Sequence, residues 1–332
     1  MPVESIPLPH GGHLRAAAAR YAIPLAEWLD LSTGINPNGW PAPALPPTVW
    51  NRLPEDEDGL EAAARDYYRA DSLLAVAGSQ AAIQLLPKLR EPGRVAIIHP
   101  GYREHYRAWQ RAGHAVSPIS ADEIEPVSER VEHMLLIHPN NPGGECFTRE
   151  QLLRCHARLR QRDGWLVVDE AFIDCAPEHS LAPFSDRPGL IVLRSLGKFF
   201  GLAGARVGFV CAQAAILKAL KSELGPWPIA APSRHVATLA LRDNDWQQAA
   251  RAALPSAGER LRELLSRHGL APNGGGCLFQ WVETERAGEL HEQLARRAIL
   301  TRLFDAPASL RFGLPGDESG WRRLDEALGA VR

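Results

Sequence analysis

A chain of 332 residues, 45% hydrophobic and 23% charged, is too long for one small core and has the make-up of a folded globular protein, which excludes disordered and collagen-like classes. Its formal net charge of −2 supplies no long-range field toward nucleic acid or an anionic membrane, so any anion must be caught locally. The five cysteines never form C-x-x-C and the histidines show no ligand spacing, so neither a metal site nor a disulfide frame is expected and a reducing cytoplasm fits best.

The N-terminal stretch MPVESIPLPHGG lacks a basic region followed by an apolar run, and no stretch reaches the ~18 apolar residues of a membrane span. Residues 1–50 are rich in proline and glycine and read as an extended arm with one short helix near 13–21. From there apolar runs alternate with helical patterns. LLAVAG is followed by the helical SQAAIQLLPKL, RVAIIHP is a buried strand, EHYRAWQRAG a helix and HMLLIHP another strand. TREQLLRCHARLRQRDG opens with a capping box, Thr148 and Gln151, and stops at Gly164. WLVVDEAF and LIVLRSL follow as strands, and strand–helix–strand repetition predicts a mainly parallel sheet with crossover helices over 51–232. Residues 233–332 read as long helices (234–268), a strand LFQWV, a helix (286–298), the strands AILTRL and LRFGLP and a last helix from 319, a smaller α+β domain.

Ligands of an open parallel sheet sit beyond the carboxyl ends of its strands, so the polar residues just after each apolar run matter first. Gly78-Ser79-Gln80 opens a helix whose free N–H groups suit a phosphate, although a serine N-cap explains the same residues. HPNNPGG offers the amide of Asn141, and Asp169 closes an apolar strand, where an acid needs a cationic partner. Only four lysines occur, Lys88, Lys198, Lys218 and Lys221, and three fall on solvent-facing helical positions. Lys198, inside SLGKFFGLAGARVG, is set among apolar residues, where desolvation makes an amine nucleophilic toward a carbonyl. Ser195 and Arg206, in the same stretch, can both bind phosphate. P-loop, dinucleotide, H-E-x-x-H and G-x-S-x-G motifs are absent.

Taken in order, Gly-Ser-Gln, Tyr102 in PGY, NNPGG, DEAF, SLGKFFGLAGARVG and the late LRFG resemble the fold type I enzymes dependent on pyridoxal 5′-phosphate, over nearly the whole chain. The most similar branch holds histidinol-phosphate aminotransferases and threonine-phosphate decarboxylases. The resemblance implies an aspartate aminotransferase-like fold, an α/β large domain plus a smaller α+β C-terminal domain, and a homodimer. It implies that Lys198 is the covalent attachment point, that Asp169 holds the ring nitrogen protonated, that Asn141 meets the ring hydroxyl and that Tyr102 stacks on the ring. Ser79, Gln80, Ser195 and Arg206 would hold the cofactor phosphate, and Arg311 the substrate carboxylate.

Two positions depart from the aminotransferase pattern: Phe172 stands where a tyrosine is usual, and Leu53 replaces the tyrosine of an R-Y-P segment. The stretches PHGGH and LDLSTGINPNG resemble the opening of threonine-phosphate decarboxylases, making His10, Asn36 and Arg302 candidates for the substrate phosphate. Decarboxylation of L-threonine O-3-phosphate, which supplies aminopropanol phosphate to cobalamin biosynthesis, is the expected reaction. Histidinol-phosphate-type amino transfer is the alternative, and a non-catalytic cofactor-binding regulator a third.

Overall fold

The computed structural model describes Leu8 and residues 10–331. The reading of residues 1–7 as carrying no leader, and Pro9 of PHGGH, lie outside the described residues. Two compact units emerge: one runs from Asn38 to Pro255, and the other joins the described residues up to Pro37 to those from Ser256 onward.

In the larger unit seven strands form one sheet in the order Leu73–Val76, Gly208–Cys211, Leu190–Ser195, Trp165–Asp169, His133–Ile137, Arg94–Ile98, Ala115–Ile119. The last five pair in parallel, and Gly208–Cys211 runs against both of its neighbours. The central strands are buried along their whole length, which is why they read as unbroken apolar runs rather than alternating ones. Thr148 and Gln151 form the expected reciprocal cap of the helix Arg149–Arg160, with Thr148 Oγ1 accepting from Gln151 N at 3.2 Å and Gln151 Oε1 from Thr148 N at 2.9 Å.

The other unit has an antiparallel sheet of Arg302–Asp305, Ala308–Gly313, Phe279–Glu283 and Gly274–Gly276. Leu29–Asp30 adds a short parallel pairing with Ile299–Leu300, and the helix Leu14–Tyr21 packs beside it through Ala17 against Ala295, Ala298 and Leu300. Cys146, Cys155 and Cys211 are free thiols. Cys175 and Cys277 are each disulfide-bonded, which corrects the expectation of a chain without disulfides. Among the described residues no helix is long and apolar enough to cross a membrane, and no cluster of side chains could hold a metal ion.

Two buried histidines tie backbone to backbone in the large unit. His133 Nδ1 accepts from Trp165 N at 3.1 Å and His138 Nδ1 from Phe147 N at 3.2 Å, so each ring must stay deprotonated at that nitrogen. Burial pushes both down to about 4. An unfolded histidine takes up a proton near 6.5 while these do not, so stability is complete above that pH and falls as pH drops from 6.5 toward 4. Urea unfolding at pH 5 should show a stability about 2 kcal/mol or more below that at pH 7; a flat profile over this range would contradict the assignment.

Candidate active site

Every candidate residue of the large unit falls at one edge of its sheet. Ser79, Gln80, Tyr102, Asn141, Asp169, Ser195 and Lys198 lie at or just beyond the carboxyl ends of strands, and Arg206 just precedes the reversed strand at the same edge.

Glycines bring the anion-binding groups together. Gly78, at φ +69°, is the N-cap of the helix Ser79–Leu85, so Ser79 is its first helical residue and not the capping serine. A Cβ on Gly78 would lie 2.8 Å from Arg206 Nη2, and one on Gly208 would lie 2.5 Å from Ser79 N. Only residues without side chains let the guanidinium and the start of the helix approach this closely. Gly208 also pairs in register with Ser195, whose Oγ accepts from Gly197 N at 3.2 Å. Arg206 itself takes the left-handed conformation, φ 55°, unusual for a side chain of its size. A guanidinium, a hydroxyl and helical N–H groups thus share one corner.

Tyr102 caps the helix Arg103–Arg111, and its hydroxyl donates to Gln80 Oε1 at 3.1 Å. Gln80 Nε2 donates in turn to Glu104 Oε2 at 3.1 Å, so this glutamine side chain is engaged in holding Tyr102 and its helix. Asn141 is half-buried and precedes a cis peptide to Pro142; Asn140, fully buried, fixes that turn through bonds to Pro100 O (2.8 Å) and Glu145 Oε2 (2.7 Å).

Asp169 is 4% exposed, and the partner beside it is a residue the sequence reading did not name, His105. His105 Nε2 lies 2.8 Å from Asp169 Oδ2, while Ala171 N donates to Oδ1 at 3.1 Å. The signal was present: His105 stands one helical turn after Tyr102, on the buried face of the same helix. Adjacent Glu170 points away, as neighbouring strand residues do. It meets Arg194 Nη1 at 2.7 Å, Ser180 Oγ at 2.5 Å and Leu181 N at 2.6 Å, and Arg194 Nη2 donates to Asp174 Oδ1 at 2.6 Å. Burial pushes the Glu170 carboxyl up, against the pull of Arg194 and the two hydrogen bonds. This buried ion cluster fixes both ends of the segment that carries Phe172.

Lys198 is half-buried, whereas Lys88, Lys218 and Lys221 are exposed as expected. Its Nζ lies 5.5 Å from the centroid of the Phe172 ring, itself 7% exposed. Phe199 and Phe200 pin the turn from behind, with ring centroids 5.4 and 5.5 Å from Trp246. One edge therefore presents an anion corner, a buried carboxylate held by a histidine, and an amine against an aromatic wall.

The smaller unit holds the remaining candidates. Gly12 N donates to Ser32 Oγ at 2.7 Å and a Cβ on Gly11 would meet Ser32 O at 2.3 Å, so the H-G-G turn is laid against this serine. Arg311 Nη2 donates to the same Ser32 O at 2.9 Å. Arg302 and Arg311 are directly opposite in the strand register, and like charges so placed repel. Burial, with Arg302 beside it, pushes Arg311 down to about 10, still protonated at neutral pH but at a cost that an anionic ligand would offset. His10 and Arg302 line one cleft; Arg311 and Asn36, both buried, lie outside its lining.

Comparison with known proteins defines the class. The profile of aminotransferase class I and II matches residues 52–328, and the chain belongs to that family. It is 57% identical over 321 residues to a threonine-phosphate decarboxylase of Pseudomonas aeruginosa, covering 97% of each chain. It is 43% identical to another of that name from Sinorhizobium sp, covering 98% of each. The fold matches a histidinol-phosphate aminotransferase from Sinorhizobium meliloti, solved in complex with pyridoxal-5'-phosphate, with a TM-score of 0.83 at 20% identity over 99% of this chain and 96% of that one. The large mainly parallel sheet with a smaller antiparallel domain is thus the aspartate aminotransferase-like fold.

Replacing His105 with leucine removes the Nε2 contact and leaves a buried carboxylate with one N–H donor. Urea denaturation should then report a loss of about 1–3 kcal/mol; unchanged stability would mean that Asp169 does not depend on this ring.

Proposed function

We propose that this chain is a pyridoxal 5′-phosphate-dependent carboxy-lyase that converts L-threonine O-3-phosphate to (R)-1-aminopropan-2-yl phosphate, the linker unit of cobalamin biosynthesis. The observation that carries this reading is the match to two threonine-phosphate decarboxylases over almost the full length of both chains.

The residues fit the cofactor. The corner built by Gly78, Ser79, Ser195, Gly208 and Arg206 is shaped and charged for its phosphate, with the glycines leaving room that a Cβ would fill. Asp169, held by His105 and Ala171 N–H, suits a protonated ring nitrogen; Lys198 supplies the amine for the aldehyde; Tyr102 would lie against the ring and Asn141 against its hydroxyl. When bound, the cofactor supplies an electron sink for the pair released as a bond to the substrate's α-carbon breaks.

The chain's own residues decide which bond that is. Only a bond held perpendicular to the ring plane feeds electrons into it, so orientation selects the outcome. Arg311 would grip the carboxylate, while His10, Asn36 and Arg302 would hold the phosphate, and two charged ends so fixed set the rotation about the α-carbon. Asp169 keeps its proton partner in place throughout. The Lys198 amine would return a proton to the α-carbon after carbon dioxide leaves, acting as general acid.

We further propose a homodimer. Trp50 is 68% exposed, Leu53 63% and Leu239 36%, and the last two line a cleft with Thr238 and Arg242. Exposed apolar groups gathered in this way suit cover by a second copy. Sedimentation should report a dimer, and Leu53→Asp should shift it toward monomer; a monomeric parent would reject the proposal.

Incubated with threonine phosphate, the holoenzyme should release carbon dioxide with no 2-oxo acid present, and Lys198→Ala should lower turnover by about a thousandfold or more. Amino transfer to 2-oxoglutarate without carbon dioxide would assign the aminotransferase reaction instead. Neither activity would leave a cofactor-binding protein without turnover.

A further inference from the structure

A cleft of about 230 Å³ in the smaller unit is lined by His10, His13, Arg20, His291 and Arg302, together with hydroxyls and apolar side chains, and by no acidic residue. It opens between the helix Leu14–Tyr21, the H-G-G turn and the chain around Thr301. Arg20 is paired with Glu292 at 2.9 Å, which leaves His10, His13, His291 and Arg302 as the groups able to offer charge to an anion in the cleft.

Neither Arg20 nor His291 belongs to a motif singled out in the sequence, and Arg20 is taken up by Glu292. His291 projects from the helix Ala287–Ala295, and its Nδ1 lies 2.8 Å from the hydroxyl of Thr301, which is 2% exposed. With Nδ1 so engaged, Nε2 is the nitrogen left for the cleft. If Thr301 donates to Nδ1, the proton of the neutral ring sits on Nε2, ready to be donated to an anion.

We propose that His291, oriented by Thr301, donates directly to the substrate's phosphate beside His10 and Arg302, which line the same cleft. The inference rests on the reading above that His10 and Arg302 meet the substrate's phosphate, and it adds a residue that selects for that group. The surroundings agree. Burial holds His291 below its ordinary range, and Arg20 and Arg302 push the same way while Glu292 opposes them. Glu292 is itself held by Arg20 Nη2 at 2.9 Å and the Tyr21 hydroxyl at 2.6 Å. His10, His13 and Tyr21 are the other titratable groups lining the cleft beside the two arginines. A dianion entering would offset the guanidinium repulsion and draw a second proton onto the ring at Nδ1, with Thr301 turning to accept it; this uptake is read as the difference between the parent and His291→Asn, because phosphate bound as the dianion sheds protons of its own.

Calorimetric titration of the holoenzyme with inorganic phosphate, in two buffers of different ionisation heat at neutral pH, reads both affinity and proton uptake. His291→Asn should bind phosphate about tenfold more weakly and lose part of the proton uptake. Its KM for threonine phosphate should rise by a similar factor with kcat within about twofold. Thr301→Val, which frees the ring to turn, should weaken phosphate binding in the same direction, and it carries the test if thermal melting shows that His291→Asn is misfolded. Phosphate affinity, proton uptake and KM that stay at parental values would overturn the inference, as would a parent enzyme that does not bind phosphate. A parent that binds phosphate in this His291-dependent way yet releases no carbon dioxide from threonine phosphate would instead reject the reaction and leave the site standing.

Discussion

Burying a carboxylate is among the costliest things a fold can do, and it is tolerated only where hydrogen bonds and opposite charge are supplied. Asp169 is supplied with hydrogen-bond partners at the end of a central strand, between Ala171 N–H and the His105 ring. Much of the large unit is arranged around this requirement. The helix that brings His105 also starts at Tyr102, whose hydroxyl reaches Gln80 and so links it to the helix beginning at Ser79. Directly behind, Glu170 and Asp174 share Arg194, which sets the backbone on both sides of Phe172 and with it the aromatic wall that Lys198 faces.

The sheet then does the rest of the positioning. Parallel strands share one carboxyl edge, and the single reversed strand brings its own start, Arg206 to Gly208, to that edge. Residues separated by more than a hundred positions, such as Gly78 and Arg206, therefore meet with no special loop to connect them. Close approach is decided by the absence of side chains at Gly78 and Gly208. In the smaller unit the logic is one of stored repulsion: Arg302 and Arg311 are opposed across two strands, and His10 is laid against the same region through Gly11, Gly12 and Ser32. On the function proposed, such a site suits a substrate with two anionic ends.

Much of this was legible in the sequence. The buried strands announce themselves as apolar runs, the capping box at Thr148 fixes a helix start, and the rarity of lysine singles out Lys198. What escaped did so for identifiable reasons. Ala115–Ile119 is an exposed edge strand that contains Pro118, so it lacks both the apolar run and the pattern of a paired strand. Gly208–Cys211 was hidden because its residues continue a glycine-rich stretch that reads as a loop. His105 offered only its place one turn after Tyr102, and His291 no signal at all, since each takes its role from a partner, Asp169 or Thr301, that lies elsewhere in the chain. The disulfide state of Cys175 and Cys277 likewise has no spacing signal.

On the function proposed, the Lys198 amine, and no other, forms the covalent link to an aldehyde cofactor. Borohydride reduction of protein reconstituted with pyridoxal 5′-phosphate, followed by peptide mapping by mass spectrometry, tests it most directly. A pyridoxyl group confined to the peptide containing Lys198 is the predicted result; a label on Lys88, Lys218 or Lys221 alone, or none at all, would contradict it.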